Sequence, residues 1–347
     1  MQLASVEVIP YALPFKEPYV TARGTLRQRE MVLLRVRDED GVVGLGEAVP
    51  LSLRGGATLE QVVQELEVAG GQDVEGLSAP ARCAAATAQM DLLGRRAGGD
   101  GRVVDEAVAC NATLVAGASA DVAADAQRWA QDGFTTFKLK LGAESARRRV
   151  QHDFSRTRES EVEQVRAVRE ALGPEVRIRI DANEAWDLET AKRTLAELEP
   201  LAIELAEQPV AGLEAMAELA AATSIPLAAD ESVATIEEAK RAAAAGGCAY
   251  TGIKLSKVGG PHAALAIAAV LPAYVTSALD GPVGIAAAGL VAKTVGGELA
   301  HGLATQRLFA STIASVECEI RDGMLHLPPG PGLGIEIDED ALEAHRI

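Results

Sequence analysis

Six charged residues, set in otherwise apolar strand-like segments, carry the chemical signal of this sequence. Lys138 and Lys140 lie in Phe-Lys-Leu-Lys-Leu, Asp181 in Ile-Asp-Ala-Asn, Glu207 in Ala-Glu-Gln-Pro, Asp230 in Ala-Asp-Glu-Ser and Lys254 in Ile-Lys-Leu-Ser-Lys. The steps from 181 to 207, 207 to 230 and 230 to 254 are 26, 23 and 24 residues, each the length of one strand–helix unit. Successive strands would then deliver three carboxylates and an ammonium to one rim. Converging carboxylates repel one another and stay ionised together only around a cation. An all-oxygen donor set with room for water and substrate suits Mg²⁺, with Mn²⁺ next. Lys138 and Lys140, two apart, share one side of a strand, and each disfavours charge on the other, which predicts a base usable near neutral pH. Lys254 arrives from the far side, four strands on. A divalent ion between two amines suits removal of a proton alpha to a carboxylate: the metal stabilises the enediolate and a lysine takes the proton. Singly, each residue has a plainer use. A strand-end Asp caps a helix, Lys-x-Lys lies on a solvated edge, and Glu231 and Lys257 pair with neighbours.

Positioning such a set requires a parallel sheet. From about Asp105, apolar strands alternate with helices: Val108–Val115, Thr135–Leu141, Val176–Asp181, Ala202–Glu207, Pro226–Asp230, Thr251–Leu255 and Tyr274–Leu279, with a weaker eighth strand near Glu298–Leu303. The first helix, Ser119–Gln131, is read as opened by a Ser cap. Seven or eight such units favour a closed barrel, and no G-x-G-x-x-G or P-loop motif supports a nucleotide fold. Before the barrel, strands at Ser5–Tyr11, Met31–Val36 and Val42–Glu47 and helices at Leu59–Ala69 and Ala79–Ala97 form an α+β segment. The expected fold is therefore α/β: a (β/α)8-type barrel over residues 105–317, with an N-terminal α+β capping domain over 1–104. A tail over 318–347, punctuated by Pro-Gly-Pro-Gly, breaks the alternation and is expected to return to the cap. The polar stretch Glu144–Glu161, with Arg147, Arg148, Arg149, Arg156 and Arg158, reads as a solvated insertion or a basic flap near the barrel mouth.

Composition narrows the function. The net charge of −17 argues against nucleic acid and anionic membrane, which need a basic surface. Aromatics are only 3%, so the core must be built from Ala, Val, Leu and Ile. No apolar run reaches the roughly 18–20 residues of a membrane helix. Met1–Pro10 lacks a basic segment followed by an apolar one, which predicts no secretory signal. Cys83, Cys110, Cys248 and Cys318 form no C-x-x-C pair and read as reduced thiols of a cytoplasmic protein.

The ordered motifs Lys-x-Lys, Asp-x-Asn, Glu-Gln-Pro, Asp-Glu-Ser and Lys-x-x-Lys-x-Gly-Gly resemble the enolase superfamily, in its muconate-lactonizing subgroup, over nearly the whole chain. The resemblance implies Lys140 as the proton-abstracting base tuned by Lys138, and Asp181, Glu207 and Asp230 as Mg²⁺ ligands. It implies Lys254 as the opposite-face lysine, and a mobile lid from Pro14–Arg29 and Ala48–Gly56. The subgroup includes o-succinylbenzoate synthase, N-succinylamino acid racemase, dipeptide epimerase and muconate cycloisomerase. Cys110-Asn-Ala-Thr-Leu114, Thr276–Ala286 and His301-Gly-Leu-Ala-Thr305 look like the synthases, lyases of menaquinone biosynthesis. Dipeptide epimerases carry Asp-x-Asp near strand eight, where this chain has Ala300-His-Gly-Leu-Ala-Thr305, and that stretch does not look like a cycloisomerase's either. The expected partner is a small dianionic carboxylate, with Arg23, Arg27, Arg29 and Arg54 of the lid, Asn183 and Ser277 as candidate contacts. A homo-oligomer is compatible with the sequence. A Schiff-base barrel aldolase leaves the carboxylates unexplained, and a non-catalytic binding protein leaves the intact set unexplained.

Overall fold

Long alternating strands at the start of the chain and short, doubly buried strands after it give two layers of different kind. The computed structural model describes residues 3–21, 24–52, 55–70, 76–98, 107–115, 117–142 and 154–347, without the side chains of 20, 21, 24 and 154–160. β1 (Leu3–Thr21), β2 (Gly24–Asp38) and β3 (Val43–Ala48) make the antiparallel sheet of the cap. β1 and β2 run well past their expected ends as one hairpin. Tyr11 pairs with Met31 and Thr21 with Gly24, across a register break between Pro14 and Tyr19. The lid expected over Pro14–Arg29 is thus a two-stranded arm. Helices α1 (Leu59–Ala69) and α2 (Ala79–Arg96) cover the sheet, packing Val62, Leu66, Ala84 and Leu92 against Val32, Leu34 and Val36. A Cβ at Gly44 or Gly46 would fall 2.3 or 1.9 Å from the carbonyl oxygens of Ala88 and Ala84. The Ala-rich helix and the Gly-x-Gly strand are therefore one packing solution, in which both sides omit bulk so that their backbones approach.

The expected strand Val108–Val115 is split at Cys110. β4 (Ala107–Ala109) leaves the barrel, and β5 (Ala112–Leu114) opens it. Next come α3 (Ser119–Gln131), β6 (Thr136–Lys140), α4 (Phe154–Leu172), β7 (Arg177–Asp181), α5 (Leu188–Leu198), β8 (Ile203–Glu207), α6 (Leu213–Ala220) and β9 (Leu227–Ala229). They are followed by α7 (Ile236–Ala245), β10 (Tyr250–Ile253), the short α8 (Leu255–Val258), α9 (Pro261–Ala268), β11 (Ala273–Val275) and α10 (Pro282–Val295). β5 to β11 pair in sequence order as one parallel sheet. Thr235 and Glu238 form a reciprocal capping box on α7, and Asp187 caps α5. The cap expected at Ser119 is not there. Ala118 is the N-cap of α3, with no side-chain bond, and Ser119 is the first helical residue.

The eighth strand is reduced to two residues. His301 bridges Cys110 and Gly302 bridges Thr276, both in parallel sense. His301 N donates to Ala109 O at 2.7 Å, Asn111 N to His301 O at 2.9 Å, Gly302 N to Val275 O at 2.8 Å and Ser277 N to Gly302 O at 3.0 Å. These four bonds close the barrel, and a short 3₁₀ turn (Ala304–Leu308) takes the place of an eighth helix. The tail divides its duties. β12 (Ala314–Val316) pairs with β15 (Glu336–Ile337), while the hairpin of β13 (Glu319–Arg321) and β14 (Met324–His326) joins β4. The remainder lies against the cap. Leu333 N donates to Asp91 Oδ1 at 2.6 Å, α11 (Glu339–His345) follows, and Arg346 bridges Tyr11. All four cysteines are buried and free. Among the described residues, no helix is long and apolar enough to cross a membrane.

Cap and barrel meet at a buried polar knot. Glu47 of β3 accepts from Tyr11 Oη at 2.9 Å and from Gly281 N at 2.7 Å, and Asp280 lies nearby. A Cβ at Gly284 would stand 2.5 Å from Glu47 Oε1, so the barrel gives way here to the cap's carboxyl. Arg29 ties the hairpin arm to the carbonyls of Pro50, at 2.9 Å, and Ala278, at 3.1 Å. Burial, reinforced by Asp280 and opposed by the bond from Tyr11, pushes Glu47 up to about 8 from an ordinary 4.5. The folded state therefore holds a proton that the unfolded chain releases. This contribution to stability is full below pH 4.5 and is lost as pH rises through about 8. Glu47→Gln is expected to flatten this limb, which amounts to a few kcal/mol at about 1.4 kcal/mol per pKa unit. Melting temperatures of both proteins between about pH 5 and pH 8 check this; parallel curves would contradict it.

Candidate active site

Alternation along each strand sends every second residue into the barrel, and the six charged residues all sit at its carboxyl end. Lys138 and Lys140 lie on β6, Asp181 ends β7, Glu207 ends β8, and Asp230 and Lys254 directly follow β9 and β10. In the register Lys140 faces Asp181, which in turn faces Glu207. The three carboxylates are fully buried, and Lys138 and Lys254 nearly so.

Lysines bind the carboxylates together. Lys138 Nζ lies 2.5 Å from Glu207 Oε2 and 2.9 Å from Asp181 Oδ2. Lys140 pairs with Asp181 and reaches Asn183 Oδ1 at 3.3 Å. Lys254 pairs with Asp230, whose other carboxylate oxygen meets Lys257 Nζ at 2.8 Å. Asn183 donates from its backbone to Asp181 Oδ1 at 3.0 Å and from its amide to Glu231 Oε1 at 3.1 Å. Its left-handed backbone, φ 47°, turns the chain sharply after β7.

Burial works to raise the Asp181 carboxyl, but Lys138 and Lys140 outweigh it and hold the group well below the ordinary carboxylate range. Glu207 is shifted upward, by burial first and then by the charge of Asp181, against Lys138. For Lys140, burial works to lower the ammonium, yet Asp181, Tyr19 and Glu207 together raise it. This corrects the expectation of a base lowered by its neighbour Lys138. In this arrangement Lys140 faces a carboxylate more closely than it faces the other lysine.

The donor set fits a divalent ion. Glu207 Oε1 is buried and has no hydrogen-bond partner among the described residues, while Oε2 takes both Lys138 and the Tyr274 hydroxyl. A bare, buried carboxylate oxygen beside two further carboxylates is a donor for a hard cation. As they stand, no three His, Cys, Asp or Glu side chains among the described residues are gathered closely enough to cage an ion, because ammonium groups lie against the carboxylates.

The other candidates fare unevenly. Ser277 is buried, but its hydroxyl is engaged with Asp280, donating to the carboxylate at 2.7 Å and accepting from the amide at 2.8 Å. Arg27 is exposed on β2. Arg23 and Arg54 lie outside the described residues, as do residues 143–153 and the side chains of Arg156 and Arg158 in the insertion. Four contributors escaped sequence reasoning. Gln208 accepts from the amides of Asp230 and Ser232 at 2.9 and 3.1 Å and so locks two adjacent rim loops together. Its place in Glu-Gln-Pro was the available signal. Lys257 was read only as a neighbour's partner. Tyr19 of the arm, stacked on Phe15, and Tyr274 inside the barrel had no local signature. A separate cavity of about 760 Å³, lined among others by Lys16, Arg307 and Phe309, contains none of the six rim residues.

The chain belongs to the enolase superfamily. Residues 121–341 match the enolase C-terminal domain-like family, and residues 4–69 match the mandelate racemase / muconate lactonizing enzyme N-terminal domain. Within it, similarity points to the muconate-lactonizing subgroup. Muconate cycloisomerase 1 of Acinetobacter baylyi is 29% identical over 99% of each chain. An o-succinylbenzoate synthase of Thermobifida fusca is 37% identical over 53% of this chain and 56% of its own. The structure of a dipeptide epimerase from Enterococcus faecalis, complexed with Mg and the dipeptide L-Leu-L-Tyr, superposes with a TM-score of 0.86 at 25% identity, over 97% of this chain and all of that one.

If Asp181, Glu207 and Asp230 hold Mg²⁺, chelator-treated protein gains stability when the ion is added, by about 2.7 kcal/mol at a hundred times Kd. Glu207→Gln is expected to lose most of this gain. Scanning calorimetry reads both; a wild-type melting temperature indifferent to Mg²⁺ would refute the ligand set.

Proposed function

We propose that this protein abstracts the proton alpha to a carboxylate, and that its substrate is the cyclohexadiene carboxylate precursor of o-succinylbenzoate. The observation that carries the reading is the placement of Lys140 and Lys254. β6 and β10 are four positions apart in an eight-position barrel, so the two amines flank one carboxylate rim from opposite sides. Asp181, Glu207 and Asp230 would hold Mg²⁺ there. What the ion supplies when bound is positive charge beside the substrate's carboxylate oxygens. Lys140 Nζ, as the neutral amine once it has left Asp181, takes the alpha proton, and the electron pair moves into the enediolate. Lys254, facing the ring from the other side, contributes fixed positive charge. Lys140, now protonated, gives its proton to the departing hydroxyl, water leaves, and the ring becomes aromatic. The arm carrying Tyr19 and Phe15, pinned by Arg29, excludes water from the mouth.

Two further considerations favour the lyase over an epimerase of dipeptides. The segment that closes the barrel, Ala300-His-Gly-Leu-Ala-Thr305, is buried and contains no carboxylate to receive a substrate ammonium. The highest of the identities above belongs to a synthase, though over half the chain. A second reading, muconate cycloisomerase, is favoured by similarity along the whole chain. N-succinylamino acid racemase, which would alternate Lys140 and Lys254 as bases, needs no residue that this site lacks.

Purified protein with Mg²⁺, assayed in parallel, separates these. One arm follows dehydration to o-succinylbenzoate by ultraviolet absorbance, one follows lactonisation of muconate, and one reads alpha-deuterium in N-succinylamino acids and dipeptides in D₂O. Dehydration is expected to dominate; faster exchange or lactonisation would overturn the assignment. Lys140→Ala is expected to lower whichever rate is seen by about 10²–10⁴-fold while Mg²⁺ binding persists. Retained turnover would remove Lys140 as the base.

A further inference from the structure

Two residues below each strand-end group lies the next inward layer of the barrel. Arg179 lies below Asp181, Leu205 below Glu207, Ala228 below Asp230 and Gly252 below Lys254. β11 contributes Tyr274, which pairs with Gly252 in the register. Small residues at 228 and 252 open a lane across the barrel, and the Tyr274 ring fills it, fully buried against Leu205 and Ala228. A Cβ at Gly252 would stand 3.3 Å from the phenol oxygen and 3.4 Å from the carbon that bears it. The Arg179 guanidinium, held by Glu204 and by Ala300 O at 2.6 Å, lies 5.2 Å from the ring centroid. Held in this way, the hydroxyl crosses to β8, three strands away, and donates to Glu207 Oε2. Lys138 bonds that same oxygen at 2.5 Å, whereas Oε1 has no partner among the described residues.

We propose that Tyr274 is a positioning residue for Glu207: its phenol, seated over Gly252, saturates Oε2 and leaves Oε1 as the single oxygen offered to a divalent cation. The inference rests on the reading of Glu207 as a metal ligand. A phenol suits the task because it is a neutral donor. It fixes the carboxylate without adding a charge that repels the ion, and it stays in place when Lys138 turns to Asp181. Partners of this kind orient a ligand and govern how tightly it binds. Arg179 acts one step further out, by holding the ring.

The test is calorimetric titration of Mg²⁺ into the chelator-treated full chain. Tyr274→Phe keeps the ring over Arg179 and removes only the donor. Its Mg²⁺ affinity is expected to fall about 10- to 100-fold, while its melting temperature without metal stays close to that of the wild type. Its turnover is expected to recover as Mg²⁺ is raised. Equal affinities in the two proteins overturn the proposal. A wild type that binds no Mg²⁺ overturns instead the metal reading beneath it. Should Tyr274→Phe fail to fold, Gly252→Ala decides, because its Cβ presses on a phenol that is still present. Weaker Mg²⁺ binding is expected there too, and wild-type affinity overturns the role of the phenol's position.

Discussion

Everything at the mouth of this barrel depends on keeping buried charges paired. An isolated carboxylate or ammonium taken from water costs several kcal/mol even after the protein relaxes. Here three carboxylates and the lysines that serve them lie within one apolar enclosure. The register sets Lys140 of β6 opposite Asp181 of β7 but Asp181 opposite Glu207 of β8, and Lys138 lies between those two carboxylates. Each lysine has a carboxylate partner, and Asp230 has two lysines.

The cap continues the same logic one layer higher. Tyr11, Glu47, Arg29 and Asp280 form a polar seam between two apolar packings, and hydrogen bonds rather than bulk define how the cap sits. Glycines at 281 and 284 are part of that seam, since a side chain at either would collide with Glu47. The arm that carries Tyr19 and Phe15 grows from this fixed base, and Phe15 stacks on Phe309 at a ring separation of 4.9 Å. The root of the arm is thereby attached to the barrel.

The fold was largely legible because two periodicities dominate the sequence. Period two over apolar runs marked the strands, and the 23- to 26-residue spacing of Asp181, Glu207, Asp230 and Lys254 marked the repeating unit. Charged residues inside apolar strands pointed to the rim, and the register sets them there side by side. What escaped is what depends on partners distant in sequence. The break at Cys110 is imposed by His301, 191 residues on (301 − 110), and by the tail hairpin that captures β4. Tyr274 reads as an ordinary core aromatic until its hydroxyl is traced to Glu207. The pairing of Lys140 with Asp181 was not foreseen, because neighbours along the strand are visible in the sequence, whereas the carboxylate on the next strand is not.

The two-residue eighth strand has a consequence for how the chain reaches its native state. Strands β5 to β11 join through crossovers between consecutive segments, so that sheet can assemble progressively as the polypeptide emerges from the ribosome. The seam between Cys110 and His301 cannot. It closes a loop of nearly two hundred residues, and the β14 pairing that buttresses it waits for a segment beyond residue 320. The growing chain must therefore carry an open-edged sheet through most of its synthesis, with the edge at β5, and later that at β11, exposed until His301 and Gly302 arrive. The C-terminal segment serves as the latch that turns a ribbon into a ring, and a ribosome stalled short of it would leave a sheet with two free edges.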